Sequence, residues 1–199
     1  MISAIVACDK NNGIGKDGDL LFAIPDDMDR FIDVTKFKPI IMGRKTWNSI
    51  GNEPLPARTN IVITHNRLAI LESVQRNLNE VKKDETNEIN AFTQTVVTSM
   101  ESVKAYLIDN ITSHSKEEIV IIGGGEIYKE LLPYCDTIYL TRYYAELESD
   151  TYFPTLDKDE WETIECSDYK QHENHRYKFF TYKRIKQDFE VKDDTVIWK

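Results

Sequence analysis

The chain has 199 residues, of which 41% are hydrophobic, 11% aromatic and 30% charged, and its formal net charge is −9. This size and composition fit one globular domain that buries its own core, and they leave no room for a second full domain. The acidic balance disfavours nucleic acid as a partner, because affinity for nucleic acid comes largely from Lys and Arg at the phosphates.

The sequence also lacks the marks of membrane insertion and of secretion. No apolar run approaches the ~20 residues that a membrane span needs. The start, MISAIVACDK, has neither a basic region before its apolar run nor a small-residue cleavage site. The three cysteines, Cys8, Cys135 and Cys166, show no metal-binding or disulfide spacing. We therefore expect a cytoplasmic protein without membrane contact.

Strands and helices alternate along most of the chain. Apolar runs predict strands at 2–8, 39–43, 60–64, 95–98, 119–122 and 137–141. Helices are predicted from 25 to about 36, at 44–50, around 103–108 after a capping box of Thr98 and Glu101, and at 127–132. Such alternation is the signature of an α/β sheet covered on both faces. The last strands, 161–166 and 177–182, have no helix between them and are predicted to pair antiparallel.

Two stretches look like additions to a single domain over 1–185. The first, 65–92, is predicted to be a surface insertion with a solvated loop at 82–88 and an amphipathic helix, whose apolar stripe comprises Leu68, Leu71, Val74, Leu78 and Val81. The second, 186–199, is a C-terminal extension that ends in Val-Ile-Trp. It either covers an apolar patch of the domain or serves a subunit contact.

Two adjacent acids stand in the first turn of the helix that Pro25 opens. Because residues four apart share one face of a helix, Asp27 is expected to lie under Phe31 and to face inward. The same spacing predicts that Asp26 pairs with Arg30 on the exposed face. The simplest interpretation is that both acids favour the positive end of the helix dipole. The alternative is that Asp27 forms the polar floor of an apolar pocket and binds an amidine-like ligand edge.

Two strand ends have features of an anion site. The glycines at 123–125 follow a buried strand and precede a helix, which lets a ligand approach the backbone closely. The alternative is a tight packing turn, and the dinucleotide-binding fingerprint is absent because Tyr128 stands at its sixth position. The segment GRKT at 43–46 places two cations and a hydroxyl at another strand end. It predicts a phosphate site, against the alternative of a solvated helix face.

Three other polar side chains have open interpretations. Arg58, just before the third strand, either clamps a carboxylate with two N–H groups or lies on the surface. His172 and His175 are three residues apart, but no third or fourth ligand is near them in the sequence. A surface hairpin is therefore preferred to a metal site, and no metal is predicted.

Taken together, these segments closely resemble the dihydrofolate reductase family. The matching pieces keep the family's order over about 1–184 and are ISAIVA, GIGKDGDL, IPDDMDRF, PIIMGRKTWNSIG, LPARTNIVIT, VIIGGGEIY, YLTR and DTYFP. The resemblance implies an eight-stranded, mostly parallel sheet with an antiparallel C-terminal strand, flanked by about four helices. It also implies NADPH-dependent reduction of 7,8-dihydrofolate to 5,6,7,8-tetrahydrofolate, which supports one-carbon and thymidylate synthesis.

The resemblance assigns substrate contacts to individual residues. Asp27 would hold the 2-amino group and N3 of the pteridine and promote protonation at N5, with the hydroxyl of Thr141 hydrogen-bonded to it. Arg58 would clamp the glutamate carboxylate of the substrate. The apolar slot for the substrate rings would be lined by Ile5, Met28, Phe31, Ile50, Leu55 and Ile122.

The resemblance also assigns contacts to NADPH. The backbones of Ala7 and Ile14 would meet the nicotinamide carboxamide, and Tyr128 would flank the nicotinamide. The 2′-phosphate would lie at Arg44, Thr64 and His65, and the pyrophosphate at Lys45, Thr46 and the Gly124–Gly125 turn. The Gly123–Gly124 peptide bond is expected to be cis. The remaining cofactor residues that it implies are Gly15, Lys16, Gly43, Gly123, Glu126 and Ile127.

Three features depart from the family's pattern. Leu21-Phe22 replaces the usual Pro-Trp of the active-site loop, so Phe22 stands at a catalytic position without an indole N–H that could hold a water. Glu126 follows the glycines where a cation is often found. The insertion at 65–92 begins beside the 2′-phosphate site.

The resemblance implies a small folate substrate and a monomer, with the C-terminal tail as the segment that would support a dimer. Two other functions are considered. One is a reductase of the same fold that acts on a pyrimidine intermediate of riboflavin synthesis, and Asp27 beside Phe31, together with Arg58, argues against it. The other is a non-catalytic binding or assembly protein, and the retention of Asp27, Thr141 and the cofactor glycines argues against it.

Overall fold

A large central sheet organises the protein. The computed structural model describes residues 1–81, 93–186 and 188–199, with the backbone alone for 76–81. The strands are β1 (Ile2–Cys8), β2 (Gly13–Lys16), β3 (Asp19–Leu20), β4 (Pro39–Gly43), β5 (Thr59–Ile63), β6 (Gln94–Thr98), β7 (Ile119–Gly123), β8 (Thr137–Tyr143), β9 (Thr151–Tyr152), β10 (Trp161–Cys166), β11 (Lys170–His172), β12 (His175–Arg184), β13 (Phe189–Lys192) and β14 (Thr195–Trp198). The helices are α1 (Pro25–Thr35), α2 (Arg44–Ser49), α3 (Arg67–Val81), α4 (Met100–Thr112) and α5 (Gly125–Leu131).

The central sheet has the strand order β10-β12-β8-β1-β7-β4-β5-β6, with the short β11 attached to β12. Every pair from β8 to β6 is parallel, whereas β12 runs antiparallel to both β8 and β10. The prediction of an α/β fold with a mostly parallel sheet and an antiparallel C-terminal strand is confirmed. Strands β3, β2 and β9 form a separate small sheet that the sequence patterns did not predict.

The two faces of the sheet bury different side chains. In β1, Ala4 and Val6 point to the face covered by α4 and α5, where they join Leu107 and Leu131. Ile5 points to the opposite face, toward Trp47 and the helices α1 and α2. Because successive side chains of a strand alternate between faces, both faces of β1 must be apolar, as its continuous apolar run predicts.

The start of α4 differs from its prediction by one residue. Ser99 caps the helix, and its hydroxyl oxygen accepts a hydrogen bond from the N–H of Ser102 at 3.3 Å. The predicted cap, Thr98, still belongs to β6, where its carbonyl accepts from the N–H of Thr64. The capping box of Thr98 and Glu101 was therefore wrong in its first member.

Helix α3 occupies the predicted insertion, but its apolar stripe was partly wrong. Leu68 and Leu71 are 73% and 49% exposed, whereas Ile70 and Ser73 are buried. The indole N–H of Trp47 donates to the hydroxyl of Ser73 at 3.3 Å, which explains why a polar residue faces inward. The predicted loop at 82–88 and the side chains of Leu78 and Val81 lie outside the described residues.

The C-terminal extension forms a β-hairpin that packs on the domain. Val196 is buried, and Phe189 and Trp198 pack against the main core cluster. The indole N–H of Trp198 donates to the carbonyl of Pro133 at 2.8 Å, and the Arg184 guanidinium lies 5.2 Å from the Trp198 ring. Of the two alternatives for this tail, the structure shows the cover over an apolar patch.

Replacing Trp198 with alanine is expected to destabilise the protein without changing its chemistry. The variant loses apolar burial and one hydrogen bond, so we expect the free energy of unfolding to fall by about 2 kcal/mol and Tm by roughly 5 °C. Thermal unfolding checks this, with Ile197→Ala as the matched control because Ile197 is exposed on the same strand. Equal losses in both variants would contradict the proposed packing role.

Candidate active site

Asp27 is the acid that faces inward, and Asp26 is the exposed one. The hydroxyl of Thr141 on β8 donates a hydrogen bond to an Asp27 carboxylate oxygen. Asp26 instead accepts from the ammonium of Lys170 and, at 3.0 Å, from the hydroxyl of Tyr177. The predicted pair of Asp26 and Arg30 was wrong, because the Arg30 guanidinium turns toward β8 and β12.

Burial sets the protonation of Asp27. Removal from water raises the pKa of this carboxyl above its ordinary value, because the charged form loses hydration. The hydrogen bond from Thr141 and the nearby charge of Arg30 act in the opposite direction. Such a carboxylate can bind a flat heterocycle through two adjacent N–H groups, which replace part of the hydration that burial removes.

Beside Asp27 lies an apolar surface that the predicted slot residues share. Ile5 is buried under it, and Met28 is half exposed at its rim. The other members of the set are partly buried and pack on the same core cluster as Ile5; they are Phe31, Ile50, Leu55 and Ile122. The structure therefore brings all six residues to the face of the sheet that carries α1.

Arg58 is a buried cation at the same face. It is 5% exposed, and its guanidinium lies 5.8 Å from the ring of Phe31. Its N–H groups donate to the hydroxyl of Thr35 at 2.9 Å and to the carbonyl of Pro56 at 2.7 Å. Within the described ranges it has no carboxylate partner. Burial lowers its pKa, so an anionic ligand would relieve a real electrostatic cost.

The glycine turn after β7 is shaped for close approach. The Gly123–Gly124 peptide bond is cis, as the resemblance implied. Gly123 has a φ of +107°, and a Cβ there would lie 2.9 Å from the ring of Tyr128. Tyr128 itself is buried and donates to the carbonyl of Ile5 at 2.6 Å, so it supports the turn from behind.

The basic strand end after β4 meets this glycine turn. A Cβ on Gly124 would have the hydroxyl of Thr46, at 3.4 Å, as its nearest neighbour, so the two turns lie within contact distance of each other. A Cβ on Gly43 would lie only 2.8 Å from Ile127, which is why the first residue of this end must be glycine. Arg44 and Lys45 are exposed, and neither has an ion-pair partner among the residues that the structure describes.

The residues predicted for the 2′-phosphate lie at the end of β5. Thr64 is buried, and its hydroxyl oxygen accepts from the N–H of Asn66 at 3.0 Å. His65 is exposed and close enough to Glu101 to lower the pKa of that carboxyl, although hydrogen bonds within the α4 cap lower it more.

The segment between β1 and α1 is fixed by hydrogen bonds at its start, whereas residues 17–20 are exposed. The carboxylate of Asp9 accepts from the N–H groups of Gly13 at 2.7 Å and Leu147 at 2.9 Å. Lys16 forms an exposed ion pair with Glu148. Beyond β3, the ring of Phe22 packs 4.6 Å from that of Tyr143 and contributes no polar atom.

The remaining predicted cofactor residues lie on β1, β2 and α5. Ala7 stands opposite Thr141 in the β1–β8 register. Ile14 and Gly15 belong to β2, where Gly15 pairs with Thr151. Gly125 opens α5, and Glu126 is exposed in its first turn.

The described residues contain neither a metal-binding cluster nor a membrane-spanning helix. No group of three or more His, Cys, Asp or Glu side chains there is arranged to hold a metal ion. His172 and His175 flank the turn between β11 and β12, where they form opposite positions of a hairpin. No helix in the same ranges is long and apolar enough to cross a membrane.

Sequence reasoning missed one residue of this site, Arg30. It lies one turn after Asp27, and its guanidinium reaches strands that are 110 and 150 residues away in the sequence. A cation on the helical face next to an inward acid was a usable signal. The prediction instead placed Arg30 on the exposed face, because Asp26 stands four residues before it.

Known proteins share this arrangement over nearly the whole chain. The family model of dihydrofolate reductase matches residues 1–184. The chain is 42% identical over 176 residues to a dihydrofolate reductase of Haemophilus influenzae, covering 88% of this chain and 92% of the relative. It is 35% identical to a dihydrofolate reductase of Bacillus subtilis, covering 92% and 95%. A solved dihydrofolate reductase of Enterococcus faecalis, complexed with NADP(H) and RAB-propyl, superimposes with a TM-score of 0.68 at 30% identity, covering 93% and 96%. The chain therefore belongs to the dihydrofolate reductase family.

Proposed function

We infer that the chain reduces 7,8-dihydrofolate to 5,6,7,8-tetrahydrofolate with NADPH and so supports one-carbon and thymidylate synthesis. Membership of the family supports this inference. The observation that carries it is a partly buried carboxylate, Asp27, held by Thr141 beside an apolar surface. That is the chemistry needed to recognise the amidine-like edge of a pteridine.

The substrate is proposed to lie along α1. Its 2-amino group and N3 would donate to the carboxylate of Asp27, and its rings would pack on the slot formed with Ile5 and Phe31. The glutamate carboxylate would meet the N–H groups that Arg58 does not use within the protein. An apolar slot with an acceptor, Asp27, and a cationic donor, Arg58, suits a long ligand that has N–H donors at one end and a carboxylate at the other.

The two strand ends fit the cofactor. The Gly124 turn and the hydroxyl of Thr46 lie side by side, so one pyrophosphate can reach both, and the exposed cations Arg44 and Lys45 follow Gly43 on the same strand end. We propose that Arg44, Thr64 and His65 bind the 2′-phosphate and that the backbones of Ala7 and Ile14 bind the carboxamide. When bound, NADPH supplies the hydride that reduces the substrate.

The chain's own residues contribute orientation and proton control. Asp27 fixes the pteridine and, by its negative charge, favours a proton at N5. Thr141 orients the carboxylate. Phe22 packs on Tyr143 and offers no polar atom that could hold a water molecule, so we propose that the proton arrives directly from solvent.

We further propose a monomeric, cytoplasmic enzyme. Its reductase domain covers 1–185, with 65–92 as an insertion and 186–199 as an extension. The extension packs Phe189, Val196 and Trp198 against its own chain, which supports the monomer over a dimer formed through the tail.

One assay tests the reaction against its two alternatives. Oxidation of NADPH is followed by absorbance with dihydrofolate, with and without methotrexate, and then with a pyrimidine intermediate of riboflavin synthesis. We expect turnover with dihydrofolate that methotrexate abolishes. Turnover with the pyrimidine alone would favour the other reductase, and no turnover with either would favour a non-catalytic protein.

Arg44→Met is expected to lower the preference for NADPH over NADH. Loss of one charge-assisted contact to the 2′-phosphate should raise the KM for NADPH by about tenfold and leave that for NADH almost unchanged. Steady-state kinetics with both cofactors measure this. Lys129→Met, which removes an exposed cation from α5, is the control. A parallel rise in both KM values would place Arg44 away from the 2′-phosphate.

A further inference from the structure

The guanidinium of Arg30 ties the helix that carries Asp27 to the strand that carries Thr141. One N–H donates to the carbonyl of Leu140 at 3.3 Å, and another donates to the carbonyl of Phe180 at 2.9 Å. Leu140 and Phe180 face each other in the β8–β12 register, so the guanidinium bridges that strand pair.

The surroundings of Arg30 hold its guanidinium in one orientation. The ring of Phe179 lies 4.8 Å from the guanidinium carbon, and the ring of Tyr139 lies 5.5 Å from it. The hydroxyl of Thr181 accepts from Arg30 at 3.3 Å and itself donates to Glu165 at 2.9 Å. These contacts from both strands restrict a side chain that would otherwise be free to move.

Arg30 and Asp27 are electrostatically linked. Burial lowers the pKa of Arg30, and Asp27 is the strongest of the groups that raise it again, ahead of Tyr139 and Glu165. Conversely, Arg30 is the cation that lowers the pKa of Asp27. No carboxylate forms a direct ion pair with Arg30 in the described part of the chain.

The other ionisable groups near Asp27 do not supply a positive charge. Cys8 on β1 has a pKa raised to about 12, chiefly by burial. Tyr177 on β12 also has a pKa raised to about 12, chiefly by burial and then by its hydrogen bond to Asp26. Burial likewise raises the pKa of Tyr128 on α5. All three are neutral near neutral pH, and Lys170 is engaged with Asp26.

We propose that Arg30 is a positioning residue for dihydrofolate reduction, which holds Asp27 against Thr141 and supplies the positive charge that a carboxylate in an apolar cleft requires. This role rests on the proposed function. It accounts for a cation on the inner face of α1 that donates hydrogen bonds to both β8 and β12. It also predicts that charge and hydrogen bonding at this position have separable effects.

Three variants separate those effects. Arg30→Gln keeps amide donors but removes the charge, whereas Arg30→Lys keeps the charge but loses most of the donors. Lys170→Gln is the matched control, because Lys170 is also a cation over the Phe179 ring, 5.2 Å from its centroid, but pairs with Asp26. The first readout is the titration of the Asp27 carboxyl in the ligand-free protein, followed by ¹³C NMR and assigned with Asp27→Asn.

We expect Arg30→Gln to move the Asp27 titration to higher pH and Arg30→Lys to leave it close to the wild type. Lys170→Gln should also leave it unchanged. The second readout is the pH profile of kcat/KM for dihydrofolate, whose acid limb should follow the titration. On that limb, Arg30→Gln should lose roughly three- to tenfold in kcat/KM.

The proposal is overturned if the Asp27 titration is the same in Arg30→Gln and the wild type, even when Tm falls. It is also overturned if Arg30→Lys shifts the titration as far as Arg30→Gln does. If Arg30→Gln does not fold, the Asp27 titration of the wild type and of Arg30→Lys is followed with increasing salt instead. It should move to higher pH in both proteins, because salt screens the attraction of a partly exposed cation, and a titration that salt does not move overturns the proposal. The NMR titration does not require turnover. Failure of the Arg30 proposal can therefore be distinguished from failure of the proposed reductase function.

Discussion

Asp27→Asn is expected to lower kcat for dihydrofolate by about 100-fold or more near neutral pH. The amide cannot stabilise a proton on the bound pteridine, whereas the carboxylate can. Activity should partly recover at low pH, where the substrate arrives already protonated. NADPH binding should be retained, because the cofactor residues lie at other strand ends. Steady-state kinetics across pH and a direct NADPH titration measure these outcomes.

Asp26→Asn is the matched control for this variant, since Asp26 stands next to Asp27 and is exposed. It should keep almost full turnover. An unchanged rate for Asp27→Asn near neutral pH would remove Asp27 from its proposed role.

The stability of Asp27→Asn gives an independent check on burial. Because folding raises the pKa of Asp27 above its unfolded value, the native state binds its proton more tightly than the unfolded state. The favourable contribution is thus present at low pH and is lost as pH rises through the folded pKa. At neutral pH the ionised side chain is a cost, so Tm of the variant should equal or exceed that of the wild type.

Arg58→Leu is expected to raise the KM for dihydrofolate by about 30-fold or more while changing kcat little. The lost contacts are charge-assisted hydrogen bonds worth roughly 2–3 kcal/mol. They act far from the reacting ring and stabilise ground state and transition state alike, which is the condition for a KM effect.

A truncated substrate supplies the control for Arg58. A dihydropterin without the aminobenzoyl-glutamate tail should be reduced equally by the wild type and Arg58→Leu, because it offers no carboxylate to bind. Tm is measured alongside, since the variant also loses hydrogen bonds to Thr35 and Pro56. A similar loss with both substrates would show that Arg58 acts through the fold rather than through the glutamate.

Local patterns were sufficient for the elements that frame the site. The apolar run at 2–8 is β1 with the same ends, and the helix spacing of Asp27 and Phe31 gave the inward acid correctly. These features depend on neighbours in the sequence. The pairing of Asp26 was wrong because its partners, Lys170 and Tyr177, come from the β11–β12 hairpin, whose position over α1 is a long-range property of the fold.

Of two other differences, the tail hairpin has a local signal in the sequence and the inner face of α3 does not. Asp193 and Asp194 both have positive φ and form the two-residue turn between β13 and β14. Adjacent Asp residues between short alternating segments favour such a turn, so the tail hairpin was predictable. In α3, Ile70 and Ser73 face inward, and Ser73 accepts there from the indole N–H of Trp47. That contact joins two helices, so no periodicity of apolar residues reveals it.

The central claim is that the Asp27 carboxylate pairs with the pteridine inside the cleft, and proton uptake on ligand binding tests it most directly. Calorimetry of methotrexate binding in two buffers of different ionisation enthalpy gives the number of protons taken up on binding, for the wild type and for Asp27→Asn. We expect the wild type to take up about one proton above the ligand's own pKa, because the carboxylate stabilises the protonated ring. Asp27→Asn should bind more weakly and without that uptake. Equal affinity and equal proton uptake in the two proteins would contradict the account.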